Sequence, residues 1–203
     1  VASAGGTLAK SGGGTLTLES ATYDGATAID AGSLVIESDS AVLSSSGYSG
    51  AGTLVIEPLS ESFSSTVTID TTKFSSLGGL TLGKAGNETA IVINSELVLD
   101  GALSVFGPLG LSANITTHGT QTYTGDVTVD GPAITLSSAG NSSSGSAITF
   151  TGKIEGMTPD TDGLFLFSGE GAITVAGGVG VNTALAQLGL GGLGDYRSAI
   201  QTN

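Results

Sequence analysis

Side chains able to do chemistry are few in this sequence and widely spaced. Asp160-Thr161-Asp162-Gly163 sets two carboxylates one residue apart beside a glycine, as oxygen-rich calcium loops often do. The distal glutamate of an EF-hand is missing, so Asp160 and Asp162 form a calcium candidate weighed against an ordinary solvated turn. Asp126 and Asp130 flank a short apolar alternation and are expected to line a ladder face, where they serve solubility. His118 is the single histidine. It cannot build a multi-histidine metal site, and its neighbour Gly119 marks it as a turn residue. The five cations, Lys10, Lys73, Lys84, Lys153 and Arg197, are scattered. Polysaccharide lyases and hydrolases need clustered carboxylates with a base or a second positioned acid. No such cluster stands out, so no catalytic residue is assigned and an enzyme is not expected.

Three further motifs have an ordinary structural reading. Gly78-Gly79-Leu80-Thr81-Leu82-Gly83-Lys84-Ala85 is one residue short of a phosphate-binding loop, and Ala85 stands where a magnesium-binding hydroxyl belongs. It reads as a strand ending in a glycine corner. Gly189-Leu190-Gly191-Gly192-Leu193-Gly194 fits the bare dinucleotide fingerprint, but no strand–helix–strand unit surrounds it and no acidic residue follows at the required distance. Asn87, Asn114 and Asn141 each begin an N-glycosylation pattern. In a chain this rich in serine and threonine, asparagine at a corner is the simpler account.

Composition narrows the partners. With 18 acidic residues against 5 basic ones, the net charge is −13. Nucleic acid is not an expected partner, because phosphate binding needs a basic footprint, and anionic membrane surfaces are disfavoured likewise. No apolar stretch is long enough to span a bilayer, so no membrane insertion is expected. Cysteine is absent, which excludes disulfides and thiolate chemistry. Val1-Ala2-Ser3-Ala4 has the small residues left around a cleavage site, so the chain reads as a mature form or an excised segment.

The element that must position all of these is a repeated phrase. Gly14-Thr15-Leu16-Thr17-Leu18-Glu19, Gly32-Ser33-Leu34-Val35-Ile36-Glu37 and Gly52-Thr53-Leu54-Val55-Ile56-Glu57 follow one another at 18 and 20 residues. Each is a glycine, then strand-forming residues, then a carboxylate. A strand recurring at such a period is the mark of a solenoid. A second strand within residues 21–32 gives about two strands per repeat. Tyr23-Asp24-Gly25 and Ser46-Gly47-Tyr48 read as turns, and Pro58 as the end of the series.

Alternating apolar segments continue through residues 59–180, including Glu96-Leu97-Val98-Leu99-Asp100, Val127-Thr128-Val129 and Ala172-Ile173-Thr174-Val175. Two polar excursions, residues 137–146 and 156–163, are expected to protrude. In the last part, residues 182–188 allow a short capped helix or one more strand, and the preceding rhythm favours the strand. Helical periodicity is otherwise nearly absent.

The fold expected is all-β: a right-handed parallel β-helix of roughly nine or ten turns, about 45 Å long at one strand spacing per turn. It runs as one continuous domain over 1–203, with regular repeats in 1–58, less regular turns in 59–180, and a terminal turn or cap in 181–203. Leu34, Ile36, Leu54, Ile56, Leu97, Leu99, Val127, Val129, Ile134, Leu136, Ile148, Phe150, Ile173 and Val175 are expected to point inward. Glycines are expected at corners that need positive φ.

Residues 6–18 (Gly-Thr-Leu-Ala-Lys-Ser-Gly-Gly-Gly-Thr-Leu-Thr-Leu), with Tyr23-Asp24-Gly25-Ala26-Thr27 and Ala31-Gly32-Ser33-Leu34, resemble the strand repeat of bacterial autotransporter passenger domains. Residues 80–87 and 119–125 are similar to phrases in filamentous-haemagglutinin-type surface proteins. The resemblance implies an extracellular or bacterial cell-surface β-helix serving as stalk, fibre, biofilm matrix or adhesin, and it brings no catalytic residues. Two uses follow. The first is a structural rod whose partner is itself, head to tail, or the continuation of a longer chain. The alternative is an adhesin segment whose loops at 137–146 and 156–163 bind glycans or cell surfaces. A polysaccharide-processing enzyme stands behind both. No cofactor is expected beyond the calcium candidate.

Overall fold

The computed structural model describes residues 6–19, 25–40, 46–140, 144–191 and 200–202. Every strand pairing among them is parallel, and each strand pairs with one a full turn away. One long face is built from nine strands: Thr15–Glu19, Ser33–Glu37, Thr53–Glu57, Gly79–Leu82, Ala102–Val105, Gln121–Tyr123, Ile148–Phe150, Ile173–Val175 and Ile200–Thr202. These nine rungs match the expected number of turns.

The in-register ladder explains why the repeated phrase works. Leu16, Leu34, Leu54, Leu80, Leu103 and Gln121 occupy one inward column in successive rungs, continued by Ile148 and Ile173. A slip by one residue would turn the whole inward set to solvent. All fourteen residues expected inside are buried. Each large aliphatic side chain buried this way stabilises the fold by about 1.5–3 kcal/mol.

A second face carries Leu8–Lys10, Thr27–Ile29, Tyr48–Ser49 and Phe74–Ser75 in one sheet. Leu97–Leu99, Ile115–Thr117, Ile134–Ser137, Gly163–Phe167 and Gln187–Gly191 form another. Phe74–Ser75 packs against Leu97–Leu99, so the two sheets follow one another along the same side. A third face holds Val67–Thr68, Ile91–Ile93, Leu109–Leu111, Val127–Val129 and Ile154–Gly156.

Several expectations need correction. About two strands per repeat describes the first turns, but the turn over residues 91–105 already holds three strands. The strands that escape a sequence reading, such as Leu109–Leu111 and Ile154–Gly156, are three residues long with one outward residue. That is too short an alternation to show a period. Tyr48 is not a turn residue: it is buried and paired between Thr27 and Phe74. Pro58 follows a strand as expected, yet it does not end the series, because Thr53–Glu57 pairs directly with Gly79–Leu82. Residues 58–66 are an excursion within one turn. Near the C-terminus the strand begins at Gln187, later than residues 182–188 suggested, and residues 181–186 form no helix.

Corner glycines serve close approach as much as positive φ. Gly107, Gly125, Gly152 and Gly177 stack at the corner following the long face. A Cβ on Gly125 would lie 2.2 Å from the Gly107 carbonyl carbon, one on Gly152 2.4 Å from the Gly125 oxygen, and one on Gly177 2.3 Å from the Gly152 carbon. Of these four only Gly107 has positive φ. Any side chain here would push successive turns apart.

Candidate functional site: corner carboxylates and amides

The chemistry-bearing residues gather at the corners, where most of them hydrogen-bond backbone of an adjacent turn. Asp162 is buried. Its Oδ1 accepts from the Gly131 amide and its Oδ2 from the Thr158 amide, each at 2.7 Å. Asp160 is exposed, with φ at 56°. The structure therefore gives the two members of the calcium candidate different surroundings, with Asp162 committed to amides. Among the described residues no three acidic or histidine side chains converge as metal ligands would.

The corner holding this pair is exposed over residues 157–161 yet tied down. Met157 there is 59% exposed. The Met157 amide donates to Val129 O at 2.7 Å, the Asp160 amide to Ala184 O at 3.2 Å, and the Ala186 amide to Asp162 O at 2.8 Å. The other excursion is closed at its neck, where the Ser138 hydroxyl donates to Ser146 O and Ser138 itself is buried. Residues 141–143, with the Asn141 glycosylation pattern, lie outside the described residues.

The same bracing recurs along the rod. Asp126 Oδ1 accepts from the Lys153 amide at 2.8 Å, Asn114 Oδ1 from the Thr135 amide at 2.8 Å, and Glu155 from the Asn182 and Thr183 amides. Asn87 is the most heavily used. Its Nδ2 donates to Thr89 O and Phe106 O at 3.0 and 2.9 Å, and its Oδ1 accepts from Phe63 and Thr89 amides, both at 3.3 Å. Buried and fully engaged, Asn87 is a corner residue, as the simpler reading of its motif holds. Asp130, by contrast, is exposed beside its strand.

Sequence reasoning missed this role. Apart from the local contacts of Asp162 with Thr158 and of Asn87 with Thr89, the partner of each brace lies about one turn away in sequence, so no local spacing reveals it. The only signal is that most of these side chains, Glu155 within Ile154–Gly156 excepted, fall between strands, where amides leave the ladder and need acceptors.

The remaining motifs resolve as packing. Gly79–Leu82 is a strand followed by Gly83 at φ 73°, and Lys84 Nζ donates to Leu59 O at 3.2 Å. Gly189 and Gly191 lie in a strand under two outward rings, where a Cβ would come within 2.3 Å of Phe165 and 2.4 Å of Phe167. The rest of that glycine motif lies outside the described residues. His118 Nδ1 is 3.8 Å from Asp100 Oδ1, with both side chains exposed, and its other ring edge faces Gly140.

Electrostatics follow the bracing. The Ser60 amide and hydroxyl hold the Asp39 carboxyl below its usual range. Asp70 is lowered by the Thr72 hydroxyl and amide as it caps the short 3-10 turn Thr71–Lys73. Glu57 moves the other way: partial burial raises it first, then its hydrogen bond with Glu37 and the charge of Glu37, against a smaller opposing pull from Lys84. Burial alone pushes the Tyr123 phenol far up.

No helix among the described residues is long and apolar enough to cross a membrane. Comparison with characterised proteins and with solved structures finds no match to the chain. A family model does match part of it, the passenger-associated-transport-repeat, over residues 8–36. That span is the first two turns of the solenoid, from Leu8–Lys10 to nearly the end of Ser33–Glu37. Residues 8–36 thus carry a repeat of the autotransporter passenger kind, which implies a protein of the cell surface or the secreted fraction.

Proposed function

We propose that this chain is a structural segment of an extracellular rod, displayed at a bacterial surface and extended by stacking further turns on its ends. The observation that carries the reading is the uninterrupted nine-rung long face in constant register. A solenoid of this kind is a quasi-one-dimensional object in which each turn needs only its neighbours. The outer edges of Thr15–Glu19 and Ile200–Thr202 pair with no strand among the described residues. Free sheet edges recruit another strand, and turns of the same polypeptide or of a second copy satisfy them equally well. A heterologous, head-to-tail contact between copies propagates into a fibre unless its rotation closes a ring. The braced corners support a mechanical role, since their polar groups are spent on backbone and hold successive turns together.

A second reading, an adhesin, is favoured by one observation: the exposed corner in which Met157 is 59% exposed. Electron microscopy of the purified chain at neutral pH tests the first reading, which expects filaments or rods joined end to end. A charged, proline-bearing extension at residue 1 should block elongation. Particles that stay single without the extension, or filaments that persist with it, overturn end-to-end stacking. Deleting residues 157–161 with assembly intact separates the two readings: lost attachment to glycans or cells supports the adhesin, and unchanged attachment removes it.

A further inference from the structure

The three strands matched in part by the family model and its continuation end in glutamates that stand in register. Glu19 pairs with Glu37, and Glu37 with Glu57, across successive rungs of the long face. Parallel strands sit about 4.8 Å apart, so this column places three like charges one strand spacing from one another. Beyond Glu57 the column continues with Gly83, so no fourth acid follows.

Among the described residues, the charges that act on Glu57 are Glu37 and Lys84. Lys84, from the corner after Gly79–Leu82, pulls on Glu57, and its Nζ already donates to Leu59 O at 3.2 Å. Asp39, in the corner after Ser33–Glu37, is engaged by the Ser60 amide and hydroxyl. Glu37 and Glu57 are half-buried, while Glu19, on the first rung, is exposed.

We infer that Glu19, Glu37 and Glu57 are an acid-responsive device that loosens the first three turns at neutral pH and tightens them on acidification. In the ionised column each charge repels its neighbour, and strand separation relieves that repulsion. A proton taken up by Glu57 converts its repulsion with Glu37 into a carboxyl–carboxylate hydrogen bond. The sign agrees with the direction for Glu57. A carboxyl raised in the folded state binds its proton more tightly there than in the open state, so stability is gained as pH falls through the raised value.

Glu37→Gln tests the device, because it removes the charge and keeps the shape and a hydrogen-bonding end. Amide hydrogen exchange of the full chain, read by mass spectrometry on peptides covering residues 33–37 and 53–57, reports opening of these rungs. Like charges one strand spacing apart in water repel by an amount equivalent to about a fourfold change in an equilibrium constant. At pH 7.5 the variant should therefore exchange about fourfold or more slowly than the unaltered chain, with the difference shrinking as the pH is lowered. Peptides covering residues 97–99 should not change. Equal rates for the two proteins at pH 7.5, faster exchange in the variant, or a change spread evenly along the rod would each overturn the proposal. Glu57→Gln should reproduce the effect, and its failure to do so would overturn the shared-proton arrangement.

Discussion

Inside the rod, beneath the sixth rung of the long face, lies a polar chain whose donors all point one way. The Tyr123 hydroxyl donates to Gln121 Oε1 at 2.8 Å. Gln121 Nε2 donates to Thr117 Oγ1 at 3.2 Å and to Ser137 O at 2.8 Å, and Thr117 Oγ1 donates to Gly119 O at 2.7 Å. Gln121 and Thr117 are fully buried and Tyr123 is 1% exposed, so water cannot replace a lost partner. Tyr123→Phe keeps the ring, whose centroid stacks 4.8 Å from that of Phe150 at an interplanar angle of 14°, and strands Gln121 Oε1. An orphaned buried acceptor costs about 1–3 kcal/mol. Gln121→Leu strands two groups, the Tyr123 hydroxyl and the Ser137 carbonyl, for about 2–6 kcal/mol on the same scale before any gain from its added apolar contact. The double variant should be less destabilised than the sum of the single ones, because the hydroxyl and its acceptor leave together. Urea unfolding followed by circular dichroism measures all three. An unchanged midpoint for Tyr123→Phe, or strict additivity in the double variant, would refute the reasoning.

Three other substitutions probe different parts of the structure. The Thr27 hydroxyl is buried with no partner among the described residues. Thr27→Val keeps the shape and should raise stability by about 1 kcal/mol, visible as a higher melting temperature. Asp162→Asn puts an amide donor against one of the two backbone amides that its oxygens now accept. It should cost about 1–3 kcal/mol with or without calcium in the buffer, and a calcium-dependent loss would restore Asp160 and Asp162 as a metal site. Gly152→Ala drives a methyl to within 2.4 Å of the Gly125 carbonyl oxygen. It should cost about 1–3 kcal/mol through forced backbone shifts, and a fall in melting temperature no larger than that of an exposed Ala→Gly change would argue against the stacked corner.

Period and alternation made the long face readable. Leu34, Ile36, Leu54 and Ile56 sit in a five-residue alternation at a near-constant interval, and their burial follows from that pattern alone. The third face was legible in part: Val127–Val129 shows its alternation, whereas Leu109-Gly110-Leu111 has no outward side chain and Ile154–Gly156 ends in a glycine. Tyr48 was misread because its strand is two residues long and follows a glycine. The corner braces were illegible for another reason. Asp162 and Gly131, or Asp126 and Lys153, meet only after a full turn of chain, so their pairing depends on how long each turn is. Turn length varies from 18 residues between Thr15 and Ser33 to 30 between Ile134 and Leu164. The calcium reading of Asp160 and Asp162 rested on local spacing, whereas what Asp162 touches is set by the neighbouring turn.

The central claim is one continuous in-register rod, and a distance along it is the most direct measurement. Thr17 and Thr174 lie in the same outward column, linked through Val35, Val55, Thr81, Ser104, Thr122 and Thr149. The chain has no cysteine, so Thr17→Cys and Thr174→Cys provide two unique sites for spin labels. Seven strand spacings predict a narrow distance distribution centred at about 34 Å. A distribution centred well below that length, or one too broad to define a single separation, would contradict the continuous rod.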